Sequence, residues 1–393
     1  MIKTLVFHIG DPKNGSSSIQ KAMQARACRS KGVRYVSQPE LNASALANAI
    51  NPNKGTPEKR LTRRRKLFSE KAEWARTNDA DLGLISAEFF SSVPPKALIK
   101  ALDEFMPQYT DTARIIAYVR PHAGRALSGY AQRVKTGTEL GTLDQSIAGQ
   151  RERRMLKYAP RFLRWHEAFG DRFTLRPFLR EEMRDGDVVS DFFHTALQGA
   201  PFSLEAIPST NESLALEEVA AMRRVQGRLV ADEVPDFLRL SLGGAIGRAL
   251  AGQPRRYRTR IVLSRAHAQA LHALFLEDAQ QLDQVFFGRS LMVAALEEAV
   301  GTGAAEGQSL EPLDYYSEAQ LQRMEDIAGE IAALVKAEPR GWRLEYQRRT
   351  GQRQDRIEDQ KKPQVLRQNA ARVWTLLDEL VRELAPATGT TEE

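Results

Sequence analysis

Over roughly the first 185 residues, short β-branched runs alternate with longer stretches of helical periodicity. Strands buried on both faces of a sheet read as near-continuous apolar runs, because neither face meets water. That pattern predicts strands at Thr4–Ile9, Val33–Val36, Leu82–Ser86, Arg114–Val119 and Arg172–Arg176. Apolar positions recurring every three to four residues predict helices between them, at Ser17–Arg29, Leu61–Thr77, Pro95–Met106 and Ala123–Lys135. The alternation is that of an α/β fold, a central parallel sheet with right-handed crossovers stacking helices on both faces.

After Pro208 the texture turns almost entirely helical, with Leu214–Ala231 and Ala266–Phe287 the clearest stretches. Gly301 to Gly307 reads as a flexible joint, followed by helices around Glu318–Lys336 and Pro363–Leu384 and, between these, an Arg- and Gln-rich segment, Arg340–Lys362. The expected division is an α/β domain over 1–300, mainly helical from 210 to 300, a helical C-terminal extension over 308–386 and a frayed tail, 387–393. No internal repeat is visible.

Composition narrows this picture only a little. The chain has 393 residues, 42% hydrophobic and 27% charged, which is ordinary for a globular protein. Its 57 Lys and Arg against 50 Asp and Glu give +7, a surplus that favours anionic partners without choosing among them. Cys28 is the only cysteine, so no intrachain disulfide forms, and a reducing compartment is expected. The first ten residues lack a small-residue cleavage site and read as a strand rather than a signal peptide. No apolar run approaches the roughly 20 residues that span a bilayer. The expectation is a soluble, cytoplasmic protein without a membrane span. Basic runs at Arg63–Lys66, Arg255–Arg260 and Arg340–Lys362 each read as solvated surface, although the second could also line an anionic acceptor or touch a nucleotide. No stacking-aromatic pattern or known recognition motif accompanies them, so nucleic acid ranks last among partners.

The most informative segment is His8-Ile9-Gly10-Asp11-Pro12-Lys13-Asn14-Gly15-Ser16-Ser17-Ser18. A buried strand enters a glycine-bracketed loop and then a helix with a serine-rich start. Glycines let backbone N–H groups approach a ligand, and the helix N-terminus presents unsatisfied donors and partial positive charge. Gly10 and Gly15 have the spacing of a nucleoside-triphosphate loop, but Ser16 stands where its lysine belongs and the lysine has moved to Lys13. Taken alone, the segment is also compatible with a serine-capped helix after a turn. A second strand–turn–helix follows at Ile115–Tyr130, with Arg120 at the strand's end and Ser128 eight residues on. A guanidinium fork and a hydroxyl make a phosphate-monoester site where they converge, and an arginine-capped strand where they do not.

Together, and in this order, the two segments resemble the PAPS-dependent sulfotransferases, in particular bacterial sulfotransferase-like proteins; PAPS is 3′-phosphoadenosine-5′-phosphosulfate. Gln132–Gly137, Arg176-Pro177-Phe178, Asp185–Phe192 and Asn211–Leu214 extend the resemblance over about residues 1–300. It implies a phosphate-loop-type sheet topology, with Lys13 neutralising the leaving 5′-phosphate and Asn14, Gly15, Ser16, Ser17 and Ser18 donating to the phosphosulfate. Arg120 and Ser128 would hold the 3′-phosphate, with Arg125 matching the family's intervening arginine. Asn14 departs from the usual Thr or Ser, and Pro121 follows Arg120 directly. No metal is implied. The products would be adenosine 3′,5′-bisphosphate and a sulfate ester or sulfamate on a carbohydrate, lipid, peptide or small-molecule acceptor.

Transfer needs the acceptor hydroxyl deprotonated as it attacks. Glu88, just past a strand end, leads as the base, and the competing reading is a helix-capping carboxylate. His122 beside Arg120 is second, and His8 reads as a packed histidine. Relatives carry a histidine within Leu41–Ala49, where this chain has Asn42 and Asn48. The alternatives are a kinase-like phosphate-loop enzyme using Mg·ATP, or a degenerate sulfotransferase fold that binds without turnover.

Overall fold

The structure, a computed structural model, describes residues 1–151, 156–206, 214–252, 259–350 and 364–384. Its strands are β1 (Thr4–Ile9), β2 (Cys28–Ser30), β3 (Tyr35–Ser37), β4 (Leu82–Ala87), β5 (Arg114–Val119), β6 (Phe173–Pro177) and β7 (Phe202–Leu204). Helices in the first half are α1 (Ser16–Gln24), α2 (Ser44–Ile50), α3 (Pro57–Thr77), α4 (Pro95–Phe105), α5 (His122–Lys135), α6 (Leu143–Ala148), α7 (Ala159–Phe169) and α8 (Val188–Ala196). In the second half they are α9 (Leu216–Ala231), α10 (Asp236–Ala251), α11 (Arg265–Leu282), α12 (Met292–Thr302), α13 (Glu318–Ala337), α14 (Pro339–Arg349) and α15 (Gln364–Leu384).

Contacts group the chain into two units that interleave along the sequence. The first gathers Met1–Arg125, Arg154–Pro208 and His272–Glu298; the second gathers Ala126–Arg153, Ser209–Leu271 and Ala299–Glu393.

The first unit is α/β. Its sheet runs β3-β4-β1-β5-β6, and every neighbouring pair is parallel. β1 therefore sits in the middle, with Ile9 opposite Ala87 of β4 and His8 opposite Ile116 of β5. On one face Val6, Leu84, Ile116 and Tyr118 pack with Ile19 of α1 and Phe192 of α8. On the other, Phe7 meets Phe90 edge-on at 5.6 Å. Parallel pairing brings the C-terminal ends of β4, β1 and β5 to one edge, the edge where open α/β sheets bind ligands.

α8 is fixed to the sheet by a buried polar knot. Asp191, with no exposed surface, accepts from Arg176 Nε at 3.0 Å, Arg176 Nη2 at 2.6 Å, the Tyr118 hydroxyl at 2.7 Å and the Arg184 backbone N–H at 3.0 Å. Burial alone would raise this carboxyl, but those donors hold it below the ordinary carboxylate value.

The second unit is helical. α13 packs on α9 and α15, and α10, α14 and α15 pack on one another. The Trp342 indole of α14 donates to Ser241 Oγ of α10 at 2.7 Å.

Several expectations need correcting. The helix after β1 stops at Gln24 instead of Arg29: Arg26 turns to φ 51, and Cys28–Ser30 leaves as a strand antiparallel to β7. The supposed joint at Gly301–Gly307 is partly helix, since α12 runs through Gly301, and partly anchored. There the Ala304 N–H donates to Leu263 O at 3.0 Å and Ala304 O accepts from Arg265 N at 2.7 Å. Gly303 allows this approach, since a Cβ there would lie 2.8 Å from Arg265 Cα. The Arg- and Gln-rich stretch begins as helix α14, with Pro339 at a helix N-terminus where its missing N–H costs nothing. Asn211–Ser213, Arg255–Arg258, positions 351–362 and the tail 387–393 lie outside the described residues. Among the described residues, no helix is long and apolar enough to cross a membrane.

Candidate functional site

The site grows from the C-terminal edge of the first unit's sheet. β1 ends at Ile9, and the Gly10 N–H still donates to Ala87 O at 3.2 Å, so the loop leaves the sheet beside the end of β4. A Cβ on Gly10 would lie 3.2 Å from Glu88 Cα and would strike the Ser16 side chain, so only glycine lets the loop fold back over its own strand. Lys13 adopts φ 69 and Gly15 φ 76, both left-handed. A Cβ on Gly15 would come within 2.7 Å of Val188 Cγ1, so the start of α1 is held close to α8. Gly15 is the N-cap and contributes no side-chain cap, and no acidic residue stands in the first turn. Its carbonyl takes the N–H groups of Ser18 and Ile19 at 2.9 and 3.1 Å. Ser16 is buried with its hydroxyl unbonded, whereas Ser17 is half-buried and Ser18 exposed.

β5 grips the loop from the other side. Asn14, fully buried, donates its amide to Tyr118 O at 2.6 Å. The sequence reading expects this side chain to donate to a phosphosulfate; here its amide nitrogen is bonded across to β5, which makes Asn14 an anchor for the loop. Arg120 donates from Nη1 to Lys13 O at 3.3 Å, and its guanidinium lies 5.7 Å over the Phe178 ring. Gly124, one turn into α5, makes room for it: a Cβ there would be 3.2 Å from Arg120 Nε. Burial pulls the Arg120 guanidinium below its usual range, the neighbouring Tyr158 opposes this and Arg125 adds to it. Ser128 is half-buried farther along α5, in the part of that helix grouped with the second unit.

Glu88 opens a short 3₁₀ turn (Glu88–Ser92) directly after β4. Ser91 Oγ donates to Glu88 O at 3.0 Å, Ser92 Oγ to Phe89 O at 2.9 Å, and Asn51 Nδ2 to Ser92 Oγ at 3.1 Å, so the turn is pinned. Burial raises the Glu88 carboxyl above its ordinary value; Lys13 and Arg125 pull it down and Asp11 pushes it up. Glu88 thus answers electrostatically to the lysine of the loop, and being half-buried it still reaches solvent.

The two histidines are placed differently. His122 has no exposed surface: its Nε2 bonds to Asp278 Oδ2 at 2.9 Å, and its ring stacks on Phe275 at 4.9 Å and lies 4.7 Å from Tyr158. In this structure the ring is enclosed by aromatics, with Nδ1 buried and unpartnered among the described residues, and His122 serves as a packing residue at the start of α5. His8 bonds through Nδ1 to Ser86 Oγ at 2.8 Å and lies between Tyr118 and Phe192, with burial lowering its pKa to about 3. Asn42 donates to Gln20 Oε1 at 3.3 Å; Gln20 in turn donates to Ser86 Oγ at 3.2 Å. Asn42 therefore ends a polar chain that runs under the loop to His8.

Sequence reasoning missed one cluster altogether. Asp11, buried in the loop, pairs with Arg161 of α7 at 3.0 Å and with Arg125 at 3.8 Å. Tyr158 stands beside them, and Asp278 accepts the N–H groups of Tyr158 and Ala159, each at 3.0 Å. Asp11 and Arg125 lie within the two motifs, but Tyr158, Arg161 and Asp278 sit far from them in sequence, and only the crossover into β6 brings α7 to this edge. A scan against protein-family models, a search of curated proteins and a search of solved structures each return no match for this chain.

Proposed function

We propose that the chain is a sulfotransferase that moves a sulfuryl group from PAPS to an acceptor hydroxyl or amine, on a phosphate-loop-type sheet. The observation that carries this reading is the direct tie between the two motif segments, the hydrogen bond from Arg120 Nη1 to Lys13 O, made on the sheet edge where Glu88 also stands. Segments more than 100 residues apart in sequence thus meet beside an open helix N-terminus flanked by cations, as binding of a nucleotide phosphorylated at both ends requires.

In this reading the Lys13 ammonium neutralises the leaving 5′-phosphate, and the first turn of α1 offers N–H groups and the Ser17 and Ser18 hydroxyls to the phosphosulfate. Arg120 takes the 3′-phosphate; Ser128 is assigned with it by the resemblance and is tested by its own variant. Glu88 is the base. Its raised carboxyl is a better proton acceptor than an ordinary glutamate, and its burial keeps it close to Lys13. As the acceptor oxygen attacks sulfur, its proton passes to Glu88, the bridging S–O bond breaks, and the electron pair leaves with the phosphate facing Lys13.

Calorimetric titration tests the reading. Adenosine 3′,5′-bisphosphate should bind without metal, and Arg120→Ala and Ser128→Ala should weaken it. Lys13→Ala should cut PAPS turnover by about 100-fold or more, the scale seen when one charge stabiliser is removed. Binding of Mg·ATP in place of the bisphosphate would overturn the reading in favour of a kinase-like enzyme. Tight bisphosphate binding without turnover on any acceptor would leave a binding protein.

A further inference from the structure

The cluster around Asp11 holds donors that the two motifs leave unused. Arg161 meets Asp11 Oδ1 through Nη1 alone, at 3.0 Å. Its Nε and Nη2 atoms are buried and have no hydrogen-bond partner among the described residues. Nε–H and the adjacent Nη2–H form the side-on fork of a guanidinium, two parallel donors spaced to receive two oxygens of one oxyanion. The guanidinium is braced, its Cζ 5.5 Å from the Tyr158 ring centre and 4.8 Å from that of Phe162. The Tyr158 hydroxyl, on a residue with no exposed surface, likewise has no hydrogen-bond partner among the described residues.

Asp11 is one carboxylate shared by two guanidiniums. Arg120, close enough to Tyr158 and Arg125 to feel both, has a backbone carbonyl as its acceptor and no carboxylate partner among the described residues. A buried guanidinium fork left without acceptors is costly unless an anion arrives. A phosphate monoester brings a charge of about −1.5 to −2 and three acceptor oxygens, enough to meet the Arg161 fork and the Tyr158 hydroxyl together. The Arg161 side chain is 16% exposed, so the cluster reaches solvent at that residue.

The geometry points to an oxyanion subsite in which the side-on edge of Arg161 and the hydroxyl of Tyr158 join Arg120 in holding a tetrahedral dianion, a phosphate monoester or a sulfate. Asp11 is its positioning residue, keeping Arg161 turned so that the fork stays open. This inference rests on the nucleotide-binding reading where the dianion is the 3′-phosphate, and stands apart from it where the dianion is an inorganic or acceptor-borne sulfate.

The experiment compares wild type, Arg161→Gln and Tyr158→Phe in titrations with adenosine 3′,5′-bisphosphate, adenosine 5′-monophosphate and inorganic sulfate. Tyr158→Phe removes a hydroxyl that has no hydrogen-bond partner among the described residues, so it should fold with unchanged stability and keeps the test open should Arg161→Gln fail to fold. If the 3′-phosphate is the ligand, Arg161→Gln should weaken the bisphosphate about 10- to 100-fold and Tyr158→Phe about 3- to 10-fold, with the monophosphate unchanged. Equal affinity of wild type and both variants for the bisphosphate, with wild type still preferring it over the monophosphate, would overturn the subsite and leave the nucleotide reading standing. Should wild type bind no bisphosphate, the nucleotide reading fails and sulfate decides alone. Thermal stabilisation by sulfate over chloride at equal ionic strength, lost in Tyr158→Phe, upholds the subsite; stabilisation equal in all three proteins, or absent from wild type, overturns it.

Discussion

Gly124 offers a perturbation whose two consequences have opposite signs. It lies in the first turn of α5, where replacing glycine by alanine should stabilise the helix by about 1 kcal/mol through backbone entropy. For a chain this long, that is a rise in Tm of about 1–3 °C. The new methyl, however, would lie 3.2 Å from Arg120 Nε, 3.8 Å from Nη2 and 3.9 Å from Cζ. The first of these is too tight for an ordinary contact, so the guanidinium must move by a few tenths of an ångström. Its 3.3 Å bond to Lys13 O is already long and has little room to stretch. If Arg120 meets a phosphate from its present position, losing about 1 kcal/mol of aligned, charge-assisted bonding should weaken adenosine 3′,5′-bisphosphate about 5-fold. Gly227 in α9 is the control, because a Cβ there meets nothing within 4 Å. Gly227→Ala should raise Tm similarly and leave binding alone. Differential scanning calorimetry and isothermal titration read the two quantities. Gly124→Ala protein that is more stable and binds the bisphosphate as wild type does would refute the assignment of Arg120's pose to ligand binding.

Glu88→Gln should abolish turnover while raising Tm at pH 7–8. A carboxyl raised in the folded state loses stability as pH rises through its folded value, so the gain from Gln should shrink toward pH 4 in a pH series of melting curves. His8 works in the opposite direction: lowered from 6.5 to about 3, it contributes stability above pH 6.5 that is lost as pH falls toward 3. Up to about 5 kcal/mol is at stake by linkage, and His8→Gln should flatten the acid limb of a urea-unfolding series over that interval. Asp191→Ala should cost about 3–5 kcal/mol in urea unfolding, because Arg176 and the Tyr118 hydroxyl are left without their acceptor; a loss below 1 kcal/mol would show that the knot is not what holds α8.

β1 and β5 begin and end where the apolar runs do, because strands buried on both faces leave an unambiguous trace in sequence. β2 and β7 are three residues each, Cys-Arg-Ser and Phe-Ser-Leu, too short and mixed to show a period, and β2 hides in what reads as the tail of α1. α14 is hard to see for another reason: its four arginines mask two buried residues, Gly341 and Trp342. At the site, the glycine-bracketed loop and the strand-ending arginine are legible because local backbone geometry demands them. Asp11, Tyr158, Arg161 and Asp278 are not, since each acquires its partners only through the packing of α7 and α11. The enclosure of His122 is hidden for the same reason, its carboxylate partner lying more than 150 residues away.

Cys28, in the short β2–β7 pair, equips the protein with a native clock. It is the single thiol of the chain, 4% exposed, with burial pushing its pKa up to about 11. A thiol reagent therefore labels one atom per molecule, and only when that strand pair opens. The rate of label uptake, followed by intact mass, reads the opening equilibrium of this corner without mutation, and its slowing on addition of a ligand would report how far the binding edge steadies the fold.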